Sequence, residues 1–288
     1  MPQNAVRSGA LLPCLRVRSW LSGQDVTVGR SEDIRLSFNE APEIYDRARP
    51  SYPAALYDEL FGRLPAEPQI VEVGPGTGKA TKDLLARGAS VHAVEIGPAM
   101  AAKLRSNLTS QRLRITVGDF EVAPIESGAD AVFSATAYHW ISRGAQTDRP
   151  AEILHVGGII AIVDLIQVDS PDDLGFFAAA QPIYERYGQG HRGPSAPTRA
   201  LVDPPIRAVL EADRRFDSIA VRSWDWNQTY SAADYRNLML SYSSTQMMEP
   251  SERLGLLDDM ESFIQKRFSG YVTRPLVAAL TRAVLARN

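Results

Sequence analysis

The sequence predicts a doubly wound α/β fold, on three observations. Short apolar, β-branched runs alternate with helix-like stretches between residues 69 and 165. The turns that join them are short and carry glycine or proline. The first of these turns, in "EVGPGTGKAT" from Glu72 to Thr81, follows a strand-like run and holds three glycines in five residues. Parallel strands need a crossover, and the crossover is right-handed, so this pattern builds a parallel sheet with helices on both faces.

The elements follow in order. "PAALYDELFGRL" puts Leu56, Leu60, Phe61 and Leu64 on one helical face, with Pro53 where a first-turn proline is tolerated. "QIVEVG" reads as a buried parallel strand over 69–74, and "KATKDLLARG" as a helix stopped by Gly88. "SVHAVE" is a second strand, "PAMAAKLRSNL" a second helix, "LRITVGD" a third strand and "ADAVFSATA" a fourth. "AEILHVGG" is expected to be a helix ending in glycine, before a fifth strand, "IIAIVDL", over 159–165.

Beyond Leu165 the alternation stops. "DDLGFFAAAQPIYERYG" is helical with Pro182 bending or ending it, and the Pro- and Gly-dense segment 189–205 is a loop. "SIAVRSWDWNQTY" alternates as a strand, and helices are expected over about 231–241 and 251–267. Periodicity alone leaves "PLVAALTRAVLARN" open between helix and strand.

Composition narrows the function classes. The chain has 288 residues, 44% apolar and 23% charged, with a net charge of −3, so no bulk attraction to nucleic acid is expected. One cysteine, Cys14, excludes an internal disulfide and a cysteine metal site, and the four histidines lack metal-ligand spacing, so no metal is expected. No apolar run reaches the ~20 residues that span a bilayer. Residues 1–35, with arginines at 7, 16 and 18 and a short "ALLPCL" broken by Pro13, read as a disordered tail or a misassigned start rather than a transit peptide. Without export or membrane signals, a cytoplasmic location is expected.

The glycine loop admits three chemistries. A phosphate-cradling Walker loop fails, because Ala80 follows Gly78-Lys79 where Mg²⁺ needs Ser or Thr, and Val73 stands in place of its first glycine. A dinucleotide fingerprint is half met by Gly74 and Gly76, but its third glycine falls on Lys79. The third spelling is Glu-x-Gly-x-Gly-x-Gly.

That spelling resembles motif I of the class I S-adenosylmethionine (SAM)-dependent methyltransferases, in the small-molecule branch of methyltransferase type 11 and trans-aconitate methyltransferase-like proteins. The resemblance covers about residues 37–165. It implies a Rossmann-like seven-stranded, mostly parallel sheet with the last strand antiparallel and a helical cap. "TRAVLAR" then becomes the final strand, in 271–288. The chain from 36 to 288 is then one domain: lid helices over 37–65, a SAM-binding core over 69–165, and an acceptor and cap region with strand six over 167–270.

By the same resemblance, Glu72, Gly74, Pro75, Gly76, Thr77 and Gly78 hold the methionyl end of SAM. Glu95 takes the ribose hydroxyls and Ile96 packs on the adenine. Asp119 and Phe120, in "VGDFE", meet the adenine edge. In "SATAYHWI" the main chain at Ala135 and Thr136 contacts the methionyl part, while Tyr138, His139 and Trp140 face the transferred methyl. His139 is equally a base or a pocket wall. Arg49, in "YDRARPSYP", pairs with the SAM carboxylate, and Tyr45 helps close the lid.

The expected activity is methyl transfer to a small-molecule acceptor, at an oxygen. Two other readings stay open: an NAD(P)-dependent oxidoreductase on the same fold, and a SAM-binding protein without catalysis. "VDPPIR" imitates the motif of DNA methyltransferases, but Asp203 lies some sixty residues past strand four and Ile206 replaces the aromatic, so nucleic acid is not an expected partner.

Overall fold

The computed structural model describes residues 18–19, 24–25, 42–190 and 195–287. The reading of 1–35 as disordered therefore falls almost entirely outside the described residues. Within that segment, Arg18–Ser19 and Gln24–Asp25 pair antiparallel. No helix among the described residues is long and apolar enough to cross a membrane.

Seven strands form the sheet. They are β1 (Gln69–Val73), β2 (Ser90–Glu95), β3 (Leu113–Val117), β4 (Ala129–Ala135), β5 (Leu154–Gln167), β6 (Phe216–Ser231) and β7 (Tyr271–Leu285). Their spatial order is 3-2-1-4-5-7-6. β7 runs antiparallel to both neighbours, β5 and β6. All other pairings are parallel. The strand order reverses between β1 and β4, where an open α/β sheet leaves a crevice at the carboxyl ends of its strands.

Alternation along each strand sends neighbours to opposite faces. Ile70, Ala93, Phe133 and Ala161 meet Leu56, Tyr57 and Leu60 of α2 (Ala54–Phe61), Leu84 of α3 (Lys79–Ala86) and Leu104 of α4 (Pro98–Asn107). Val71, Val94, Val132 and Ile160 meet Ile153 of α5 (Ala145–Ile153) and Leu210 of α7 (Pro205–Glu211) on the other face. The cap has its own core, where α6 (Phe176–Arg186), α8 (Ala232–Leu240) and α9 (Pro250–Arg267) bury Phe176, Tyr235, Leu238, Leu257 and Ile264. The Phe176 and Tyr235 rings meet edge-on, 5.2 Å apart.

Two segments depart from the sequence expectation or resolve it. "AEILHVGG" is not one helix: α5 begins at Ala145 and stops at Ile153, and Leu154 already belongs to β5. Pairing across the sheet outweighs local propensity there, since Leu154 stands opposite Ala129 of β4. The C-terminal piece is β7, and Leu276 to Ala283 are all buried. A strand covered on both faces has no alternation to read, which is why its period was ambiguous.

Candidate active site

The glycine loop leaves β1 into the crevice between β1 and β4. Gly74 has φ +64°, and a Cβ there would sit 2.5 Å from the Cβ of Ala137. Only glycine lets the main chain pass this close to the end of β4. Gly76 also has a positive φ (+58°), and a Cβ on it would lie 3.5 Å from the Met100 methyl and 3.6 Å from the Tyr45 ring. A side chain at Gly76 would thus take up crevice space. Gly78 is the N-cap of α3 and lines no part of the crevice.

Two acids face this loop. Glu95, at the end of β2, accepts hydrogen bonds from the Gly76 amide at 2.9 Å and the Gly97 amide at 2.8 Å. Glu72 is 1% exposed and accepts the Thr81 hydroxyl at 2.6 Å. Burial pushes the Glu72 carboxyl up to about 8, against the opposing pull of the Thr81 bond.

β4 ends in a strained residue. Thr136 has φ +58°. Its amide donates to Val163 O at 2.8 Å, and its hydroxyl lies 3.1 Å from the Tyr52 hydroxyl. Ser134 holds β4 to β1 through Val73 O at 2.9 Å. This turn is held from both neighbouring strands and from the lid.

The segment that the resemblance assigns as a lid begins with α1 (Pro42–Ala48). Arg49 donates to the Ser241 hydroxyl and carbonyl, each at 2.9 Å, just past α8. Its guanidinium stacks over Tyr242 at 4.7 Å and near Tyr45 at 5.1 Å. Lys79, at the first turn of α3, lies 3.9 Å from Asp46 of α1.

The crevice has two adjoining compartments. One is lined by Glu95, Ile96, Met100, Gly118, Phe120 and Trp140. The other is lined by Arg49, Tyr52, Glu72, Thr77, Leu238 and Arg274, with Pro75 and Ala135 among the rest of its lining. Tyr45, Gly74 and Thr136 line both, so they mark the junction.

Most of the residues singled out from the sequence thus converge. Asp119, Tyr138 and His139 line neither compartment. Asp119 accepts the Glu121 amide at 3.0 Å and stabilises the turn that presents Phe120. Tyr138 is 2% exposed and donates to Gln146 O at 2.8 Å. That carbonyl would bond the amide four residues on, but Pro150 has none, so the tyrosine satisfies an acceptor that the proline orphans. His139 packs beside Trp140 with ring centroids 4.8 Å apart, and burial together with Arg49 holds its imidazole down at about 4. It is neutral at pH 7.

Arg274, Leu238 and Leu276 line the crevice without any local signature in the sequence. Arg274 and Leu276 are brought there by the antiparallel return of β7 beside β5, and Leu238 comes from α8 of the cap, all far along the chain from the glycine loop.

The residues fit SAM. The Thr77 hydroxyl is buried with no hydrogen-bond partner and lines the same compartment as Glu72. It suits the polar amino-acid end of the cofactor, beside two carboxylates that suit its cationic groups. Ile96, Met100 and Phe120 form an apolar slot of the kind that takes a flat base.

Comparison with known proteins agrees. Residues 71–162 match a family model described as a methyltransferase domain. An uncharacterized methyltransferase of Mycobacterium tuberculosis is 38% identical over 133 residues, covering 46% of this chain and 53% of the relative. The chain thus spans about half the length of that relative. Another, YrrT of Bacillus subtilis, is 31% identical over 177 residues, covering 57% of this chain and 76% of the relative. A solved structure assigned as a type II methyltransferase from Anaeromyxobacter dehalogenans shares the fold, with TM-score 0.56 at 17% identity over 83% of this chain and 99% of that one. With the glycine loop at the switch point and the strand order 3-2-1-4-5-7-6 already in view, this chain belongs to the class I SAM-dependent methyltransferases.

Proposed function

We propose that this protein transfers a methyl group from SAM to a small-molecule acceptor, at an oxygen. The observation that carries the reading is the two-compartment crevice that meets at Gly74, Thr136 and Tyr45. One compartment suits the adenosine. The other suits the methionyl end and leaves its far wall to an acceptor.

SAM supplies a methyl group on a sulfonium, which is already a good leaving group. The protein's work is then chiefly orientation, worth up to ~7–11 kcal/mol. Glu95 and the Gly76 main chain position the nucleoside. Thr77 and Glu72 hold the amino-acid end, and Arg49 neutralises its carboxylate. Tyr45 and Tyr52 exclude water as the lid.

Oxygen is favoured over nitrogen by charge. Arg49 is taken up by the SAM carboxylate and Lys79 lies beside Asp46, but Arg274 lines the same compartment without a carboxylate partner among the described residues, and its charge repels a protonated amine. His139, outside both compartments, acts as wall support rather than as base. An acceptor that carries no proton to remove suits such a site.

The test is calorimetric titration with S-adenosylhomocysteine and, separately, NADH. Micromolar binding of the first and none of the second is expected. Methylated product should follow when SAM and a panel of acids and alcohols are supplied. NADH binding without a response to S-adenosylhomocysteine would overturn the reading. Binding without methylation of any acceptor would leave a SAM-binding module.

A further inference from the structure

Arg274 sits on β7, is 4% exposed, and lines the same compartment as Glu72 and Thr77. Its Nε and Nη2 donate to the Gln167 side-chain oxygen at 3.2 and 2.8 Å, and its Nη1 donates to the Tyr242 hydroxyl at 2.6 Å. Those partners are neutral. Tyr184, Tyr230 and Tyr235 stand close by. No carboxylate among the described residues lies within ion-pair distance of it, although ten other arginines from Arg63 to Arg282 do have such partners.

A guanidinium does not lose its proton inside a protein, so this is a buried positive charge. Burying it without a counter-ion is costly. Such an arrangement is stable when a ligand brings the negative charge. The fork of Arg274 is held in place by Gln167 and Tyr242, and a planar guanidinium pairs best with a planar carboxylate. The neighbouring walls, Leu165, Leu238 and Leu276, are apolar.

We propose that Arg274 anchors the carboxylate of the acceptor, so that the substrate class is an organic acid with an apolar body. The inference rests on the methyl-transfer reading of the same crevice. It makes Arg274 a specificity-determining residue that touches the substrate. It also fits the position of His139 outside both compartments, since a carboxylate acceptor has no proton to give up.

The test is titration of the full chain, saturated with S-adenosylhomocysteine and at fixed ionic strength. The probes are butyrate, hexanoate, decanoate and benzoate, each paired with its amide, together with inorganic phosphate. At least one acid should bind about tenfold or more tightly than its amide. Arg274→Met should erase that preference and Arg274→Lys should restore part of it. Tyr242→Phe frees one edge of the fork and should weaken the preference, which keeps the test decisive if Arg274→Met does not fold. Three results would overturn the inference: no acid preferred over its amide, a preference that survives Arg274→Met, or phosphate bound ahead of every carboxylate. Failure of the methyl-transfer reading looks different, because S-adenosylhomocysteine itself would then not bind while the acid preference, measured without it, could still be present.

Discussion

Glu95 reaches from the end of β2 back to the glycine loop and accepts the Gly76 amide at 2.9 Å. Its other oxygen accepts the Gly97 amide at 2.8 Å. The residue that resemblance assigns to the cofactor's ribose therefore also holds the loop in shape. Glu95→Ala should leave two amides without partners and cost about 1–3 kcal/mol in stability, read by urea unfolding. Affinity for S-adenosylhomocysteine should fall by a similar amount. A variant that loses stability but keeps full affinity would confine Glu95 to the loop.

Gly74→Ala tests the close passage of β1 and β4. Its Cβ would meet Ala137 at 2.5 Å, at a φ of +64°. A loss of about 1–3 kcal/mol is expected, with S-adenosylhomocysteine binding weakened as well. Ala137→Gly in the same chain should recover the steric part and not the backbone part. Full recovery in the double variant, measured by thermal unfolding, would show that the positive φ costs nothing.

Glu72 sets a pH dependence. Its carboxyl is raised to about 8 in the folded protein, far above its unfolded value, with burial as the main cause. The folded state therefore holds a proton that the unfolded state releases. Its contribution to stability is complete below about pH 4 and is lost as pH rises toward 8. Glu72→Gln should flatten that decline. An ammonium placed beside Glu72 by the ligand should pull its proton off, so S-adenosylhomocysteine binding at pH 7 should release protons. Calorimetry in buffers of different ionisation enthalpy reads this, and equal heats in wild type and Glu72→Gln would rule it out.

Tyr138→Phe separates a structural role from a catalytic one. The hydroxyl satisfies Gln146 O, which Pro150 leaves without a helical donor. The change should cost about 1 kcal/mol in stability. Affinity for S-adenosylhomocysteine and the turnover of any acceptor found should stay within twofold. A large fall in kcat without a fall in stability would return Tyr138 to the active site.

Much of the fold was legible in local sequence because β1 to β4 and their helices repeat one pattern, and each element's apolar period matches its place in the sheet. "AEILHVGG" was misread because Ile153 ends a helix only where Leu154 finds Ala129 across the sheet. The glycine loop was legible because its backbone geometry demands glycine at fixed spacing. Tyr138 was assigned to the methyl group by its motif, yet the direction of its side chain depends on Pro150, twelve residues on, which no strand-end motif encodes.

By itself the sequence determined the parallel core, the glycine loop at the switch point and the acids beside it. These are local properties: period, turn chemistry and residue spacing within a few turns of chain. The surroundings of Arg274, on which the proposed acceptor site rests, were decided by tertiary structure. Arg274 looks like one surface arginine among many until β7 returns antiparallel beside β5 and buries it against Gln167 and Tyr242. A charge acquires its meaning from what surrounds it, and here that surrounding is assembled from segments more than a hundred residues apart.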